Sequence, residues 1–325
     1  MPAIITHYLM SKASAGSLGG NVVSENVKRH SGIFYLGAQG PDILFFALGN
    51  KEMNILGERM HKEGIKGFYA ECINRIRKTS VHNGRGELIA YMAGFLCHYA
   101  LDTCTHPYIF YQTGFSDENG HLDFESTIRH RFLETTIDCI LSKNLEENDP
   151  FSLNISEKIR IGSKNRVLLG KFLSDTIASS YNIYIYPEDF SKALKDISFV
   201  YKMLHDRTGK KRAAAMALGR MFRGIGPIAA LIHYDPVQDQ DYYINERHNV
   251  WHYPWDDTID VNMSFMDLFN KAVEDSGIYI NAFEKTLSKL IDDKIALSIL
   301  GNKNFSTGLE SPVKFLYYSN EFKII

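Results

Sequence analysis

The segment GFLCHYALDTCTHPYI places His98, Asp102 and His106 at intervals of four residues. At about 100° per residue, the three side chains fall within about 80° of one helix face. Their neighbours are Phe95, Leu96, Ala100 and Leu101. Two imidazoles and a carboxylate left unpaired among such residues would cost several kcal/mol. A metal ion removes that cost by taking the imidazole lone pairs and offsetting the carboxylate charge. The bland alternative is a His–Asp pair satisfied within the core, with His106 closing a helix before Pro107. Ligands at i and i+4 on one helix are a recurring metal device, and that tips the reading towards metal.

A second segment, HRFLETTID, repeats the four-residue step in His130, Glu134 and Asp138, with His121 and Glu125 as a competing pair upstream. Taken alone these are solvated helix charges supported by i, i+4 contacts. Beside the first helix, a facing His–Glu pair points to a two-helix cage of the kind bundles build. Three further residues carry weaker signals. His7 lies in a short apolar N-terminal stretch, Asp42 in the glycine-proline turn GAQGPDILFF, and His61 at an apparent helix end, ERMHKEG. A turn aspartate is ordinarily just that.

The elements that must position these groups are helical. Apolar residues recur at three and four, and alternation of the strand type is scarce. Helices are expected near 64–79, 86–106, 121–145, 166–182, 188–205, 211–224, 264–276 and 279–299. The stretch Leu88 to Thr105 is apolar enough to be buried on most sides. Loops are expected at 36–50, 112–120 and 233–260, where glycine, proline and polar residues cluster. A composition break at 147–163 divides the chain into a metal-binding region, 1–150, and a helical C-terminal extension, 151–325, packed on it.

The bulk numbers exclude some functions. The chain has 325 residues, 45% of them hydrophobic, and a formal net charge of -2. No global basic field would recruit nucleic acid or an anionic membrane, which leaves only local patches for either. The run Lys210-Lys211-Arg212 reads as a solvated helix face. The N-terminal stretch lacks the basic and apolar regions of a secretory signal, and no apolar run is long enough to span a bilayer. The four cysteines form no CxxC pair, which fits a reducing compartment. The expected location is therefore cytoplasmic, with at most peripheral membrane contact.

Taken in order, His7, Asp42, His61, His98, Asp102, His106, His130 and Glu134 resemble the ligand series of the bacterial zinc-dependent phospholipase C family. The resemblance covers about residues 1–145 and is most specific on the helix of His98. It implies an all-α, multi-helix phospholipase C-like bundle with two to three Zn2+ ions. It implies a hydrolase that cleaves a phospholipid, or a soluble phosphodiester, on the glycerol side. Carried over, it gives one zinc to His61, His98 and Asp42, a bridging role to Asp102 towards a second zinc held by His7, and a third zinc to His106, His130 and Glu134. Asp42 becomes the candidate general base, or the group that orients the attacking water. The secreted members close the His7 site with a mature N-terminal tryptophan, where this chain begins Met-Pro.

That difference motivates a rival: a helical scaffold or lipid-binding protein whose metal is structural. A second rival, an HD-type phosphohydrolase, rests on the dipeptide His205-Asp206. In the second half, YYINERHNVWHYPWDD offers His248, Trp251 and Trp255 as residues lining a substrate cleft, since tryptophan suits choline-like cations and lipid interfaces. The alternative, slightly favoured by composition, is a loop pinned to the core by its two tryptophans.

Overall fold

The computed structural model describes residues 4–47, 49–146, 153–206, 208–221, 229–233, 240–319 and 321–322. The architecture is all-α, with one two-stranded hairpin among the described residues. None of the helices in them is long and apolar enough to cross a membrane.

The organising element is α6, Arg85–Thr113, whose side chains are buried almost throughout. It runs past the expected end at 106 and through Pro107. Proline cannot donate to the carbonyl of Thr103. The helix continues because Tyr108, Ile109 and Phe110 are buried beyond it, and Gly308 lies against that carbonyl. Packed around α6 are α1 (Ile4–Ser17), α2 (Val22–Arg29), α3 (Ser31–Gly37), α5 (Ile65–Lys78) and α7 (Phe124–Glu146). Between α3 and α5 come a 3-10 turn, Gly40–Phe46, and α4 (Lys51–Lys62), capped by Asn50. The turn replaces part of the loop expected at 36–50.

Close approach fixes α3 on α6. A Cβ on Gly37 would strike the backbone of Tyr91, and one on Gly94 the backbone of Phe34. That contact delivers the 3-10 turn to the middle of α6.

In the second half, α8 (Ile155–Lys158), α9 (Ser163–Tyr181), α10 (Pro187–Leu204) and α11 (Lys210–Met221) follow. Residues 147–152 of the expected break, 222–224 of the expected helix 211–224, and 234–239 of the expected loop 233–260 lie outside the described residues. After α12 (Gln240–Ile244), the rest of that loop contains the hairpin of β1 (Trp251–Tyr253) and β2 (Asp256–Val261). The helices expected at 264–276 and 279–299 are instead α13 (Phe265–Leu287) and α14 (Asp293–Leu300). Gly277 does not break α13, because Phe269, Ala272, Ser276, Tyr279, Ile280 and Phe283 keep one helical stripe buried, and α13 packs along α6. One hydrophobic core runs from Ile4 to Phe305 and draws on both halves of the chain.

Candidate metal centre

Five elements converge on one point. α1 supplies His7, the 3-10 turn Asp42, the last turn of α4 His61, α6 the trio His98, Asp102 and His106, and α7 His130 and Glu134. All are buried except His61, which is partly exposed. Asp102 is central. Its Oδ1 lies 3.3 Å from His7 Nε2, and its Oδ2 lies 3.0 Å from His98 Nε2, 3.7 Å from His61 Nε2 and 3.8 Å from His106 Nδ1. Asp42 Oδ1 is 3.2 Å from His61 Nε2, while Glu134 Oε1 is 3.4 Å from His130 Nε2 and 3.6 Å from His106 Nε2. His7 stacks on His98 with ring centres 4.2 Å apart. The approach of the turn depends on Gly40, whose φ is +51° and whose missing Cβ leaves room for the His98 ring.

These spacings suit ions. Two donors ~2.1 Å from one tetrahedral zinc lie about 3.4 Å from each other. Three sets have ligand atoms within 4.8 Å of one another: His7, Asp42 and His98; His61, His98 and Asp102; His106, His130 and Glu134. His98 belongs to two of them. His98 Nδ1, His7 Nδ1 and His130 Nδ1 are buried without a hydrogen-bond partner. Such orphaned nitrogens are costly unless something else accepts their lone pairs.

The tautomers follow from the neighbours. His61 Nδ1 lies 2.7 Å from the Gly57 carbonyl, and His106 Nδ1 lies 3.1 Å from the Phe305 carbonyl. A carbonyl only accepts, so each Nδ1 carries a proton, and in the neutral ring each Nε2 then presents its lone pair. For His61 that lone pair faces two carboxylates, an arrangement a cation between them resolves. Outer hydrogen bonds of this kind orient metal-binding histidines.

The shifts of the carboxylates, His98 and His130 agree with this, while that of His106 runs the other way. Burial works against charge on each carboxylate, but nearby positive charge outweighs it, the N-terminal amine first for Asp42 and Glu134 and the imidazoles after it. Asp42 sits at about 2 beside His61 and His98. Asp102 is held well below the usual range by His98 and His106, and Glu134 by His130 and His106. Burial lowers His98 and His130 and favours their neutral, ligating form. For His106 burial also opposes charge, but Asp102 and Glu134 win and raise it.

A void of about 20 Å³ lies among His7, Asp102, His106 and Glu134, room for a single ion or water. His61, His106 and His130 open on a larger cavity of about 450 Å³, walled by Phe45, Phe110 and Leu122 and carrying Lys62 and Arg131.

The role of one residue that the sequence reading named, and the whole contribution of another, escaped it. Asp138, one turn beyond Glu134, is fully buried and turned away from the cluster. Its carboxylate accepts from Ile5 N at 3.1 Å, Thr6 N at 2.7 Å, Thr6 Oγ1 at 2.6 Å and His233 Nε2 at 3.0 Å. It therefore anchors the first turn of α1, where free N–H groups and the helix dipole favour an anion, one residue before His7. Asp138→Ala is expected to destabilise the fold by about 3 kcal/mol or more, because four donors lose one buried acceptor. Under the ligand scheme proposed below, it should also weaken the ion at His7 while sparing the set on α7. Zinc counted per chain during titration with a competing chelator checks this, and unchanged binding would confine Asp138 to the fold.

Phe305 is the other. Its N–H donates to the His61 carbonyl, its carbonyl accepts from His106, and its ring packs edge-on against His61 at 5.1 Å. No side-chain signal could have marked it, since its hydrogen bonds are made by the backbone.

Trp251, His248 and Trp255 do not line the cavity. The Trp251 side chain is buried, donates to the Met263 carbonyl and packs on Tyr108. Trp255 stacks on Tyr253, and His248 is exposed beside the Asn262 carbonyl. The cleft-lining reading of these three gives way to packing at a hairpin. His121, on the cavity wall, pairs with Asp117 rather than Glu125. Asp206 of the HD dipeptide accepts from Thr208 and the Arg212 N–H, which makes it a cap for α11. It belongs to none of the potential metal sets among the described residues.

An all-α protein with a histidine–carboxylate cluster at an open cavity is the class that fold and site define. The sequence model of zinc-dependent phospholipase C matches residues 5–191, more than half the chain, and the chain belongs to that family. No curated protein and no solved structure matches it.

Proposed function

We propose that this chain is a zinc-dependent phosphodiesterase that cleaves phospholipids on the glycerol side, releasing diacylglycerol and a phosphorylated head group. The observation that carries the reading is the convergence of three potential metal sets around His98 and Asp102 beside an open cavity. In the proposed scheme His61, His98 and Asp42 would hold one ion, Asp102 and His7 a second, and His106, His130 and Glu134 a third. Zinc, when bound, supplies positive charge to the phosphate oxygens and acidifies water.

The chain's own groups do the rest. Asp42 is ionised and beside His61, placed to ligate and to accept a hydrogen bond from the attacking water. Lys62 and Arg131 add positive charge at the cavity wall, and Phe45, Phe110 and Leu122 offer apolar surface to the glycerol end of the lipid. The cavity also favours this reading over a purely structural metal, whose coordination protein ligands close entirely.

The test is product analysis on mixed micelles with zinc-loaded protein. Diacylglycerol should appear, vanish with chelator and return with zinc. Phosphatidate would place the cut on the other ester. Cleavage of a soluble nitrophenyl phosphodiester without any lipid product would replace phospholipid by a soluble substrate.

A further inference from the structure

A second cavity, about 700 Å³, opens away from the cluster between α8, the start of α9 and α10. Five cations line it: Arg160, Arg166, Lys195, Lys202 and Lys211. Glu157 is the sole acid among the described residues that line it. In a chain of net charge -2 this is a concentrated basic surface. Arg166 and Lys211 direct their side chains to the carbonyls of Ile161 and His205, which leaves their charge without a carboxylate counterpart in those contacts. Lys195 and Lys202 are exposed.

The same surface carries apolar side chains. On α10, Phe199 is 60% exposed and Met203 58%. Lys195, Phe199, Lys202 and Met203 are spaced four, three and one apart, so they form one stripe on the solvent face of the helix. The opposite face, with Phe190, Leu194, Ile197 and Tyr201, is buried. A helix lying on a bilayer has this form: apolar side chains reach the acyl boundary while lysines meet anionic head groups. A nucleic acid would meet the charge equally well, but it offers no apolar phase to an exposed phenylalanine and methionine set side by side.

We infer that this basic face, with α10 at its centre, docks the chain onto bilayers containing anionic phospholipid. The inference rests on the phospholipase reading only for its purpose, since charge and exposed apolar groups argue for the surface by themselves. α10 also packs against the 3-10 turn that carries Asp42, so the docking helix and the cluster are joined by direct packing.

The test uses the full chain and vesicles of phosphatidylcholine alone or with about one third phosphatidylglycerol. Binding is read by flotation and hydrolysis by a soluble nitrophenyl phosphodiester. Wild type should bind the anionic vesicles and release as salt rises to about 0.5 M, where the Debye length falls to only a few Å. K195E/K202E should lower the partition coefficient at least tenfold, since each basic residue near an anionic surface contributes roughly a fivefold effect. F199S/M203S should weaken binding at low salt as well. Both variants change exposed residues, so soluble-substrate hydrolysis should match wild type.

Equal binding to neutral vesicles, or wild-type binding by K195E/K202E, overturns the inference. So does displacement from vesicles by a short oligonucleotide that binds more tightly. Vesicle binding that persists in a chain without any hydrolysis would sink the proposed activity and leave the docking surface standing.

Discussion

Asp102→Asn is expected to strip the chain of most of its zinc and to reduce phosphodiester hydrolysis by about three orders of magnitude. The substitution keeps shape and removes charge. In the native arrangement one buried carboxylate stands within 4 Å of His7, His61, His98 and His106. An amide brings an N–H2 group that cannot ligate and a carbonyl with no net charge. Under the proposed scheme a ligand of the second ion is lost, and a loss of about 4 kcal/mol in transition-state stabilisation corresponds to a factor near 10³. His98→Ala should act similarly, because that ring serves two of the potential metal sets. Elemental mass spectrometry and a nitrophenyl phosphodiester assay on the same preparation check both. Full zinc and an undiminished rate in Asp102→Asn would show that the cluster is core architecture.

How much of this was legible in the sequence depended on where each group sits. The trio on α6 and the pair His130–Glu134 were legible because a helix fixes the relative direction of residues four apart before any tertiary contact forms. The same logic misjudged Asp138. It continues the four-residue step of His130 and Glu134, yet it is committed to the first turn of α1. Periodicity shows which residues share a stripe, not which neighbour each part of the stripe meets. Asp42 and His7 stood out only through the order of the family's ligands. Their placement depends on the close approach of Gly37 and Gly94 and on the open space at Gly40, which spacing does not encode.

The second half was less legible for the same reason. The aromatics at 251–255 allowed a cleft lining or, the favoured reading, a loop pinned to the core, and Trp251 takes the second, buried against Tyr108 in the hairpin. The residue that does reach the cluster, Phe305, lies in an unremarkable stretch, NKNFSTG. It matters because its backbone joins His61 to His106, and a backbone hydrogen bond leaves no mark on residue type.

Chelation is expected to lower the unfolding temperature by at least about 10 °C, and the reason lies in those same contacts. Without cations, Asp42, Asp102 and Glu134 form a buried anionic trio beside imidazoles, of which burial favours the neutral form at His98 and His130. Each ion bound only by the folded state at a thousand times its dissociation constant stabilises by about 4 kcal/mol. Two or three ions would then contribute roughly 8–12 kcal/mol. Unfolding entropy near 2 cal/mol/K per residue converts that into about 10–20 °C for a chain of 325 residues. Calorimetry with and without chelator measures the shift. Hydrogen exchange locates it, with protection expected to fall first at Phe305, whose N–H ties the 301–309 segment to α4. An unchanged midpoint after verified zinc removal would mean that the histidines and carboxylates satisfy one another. The orphaned Nδ1 of His98 would then need an explanation other than metal.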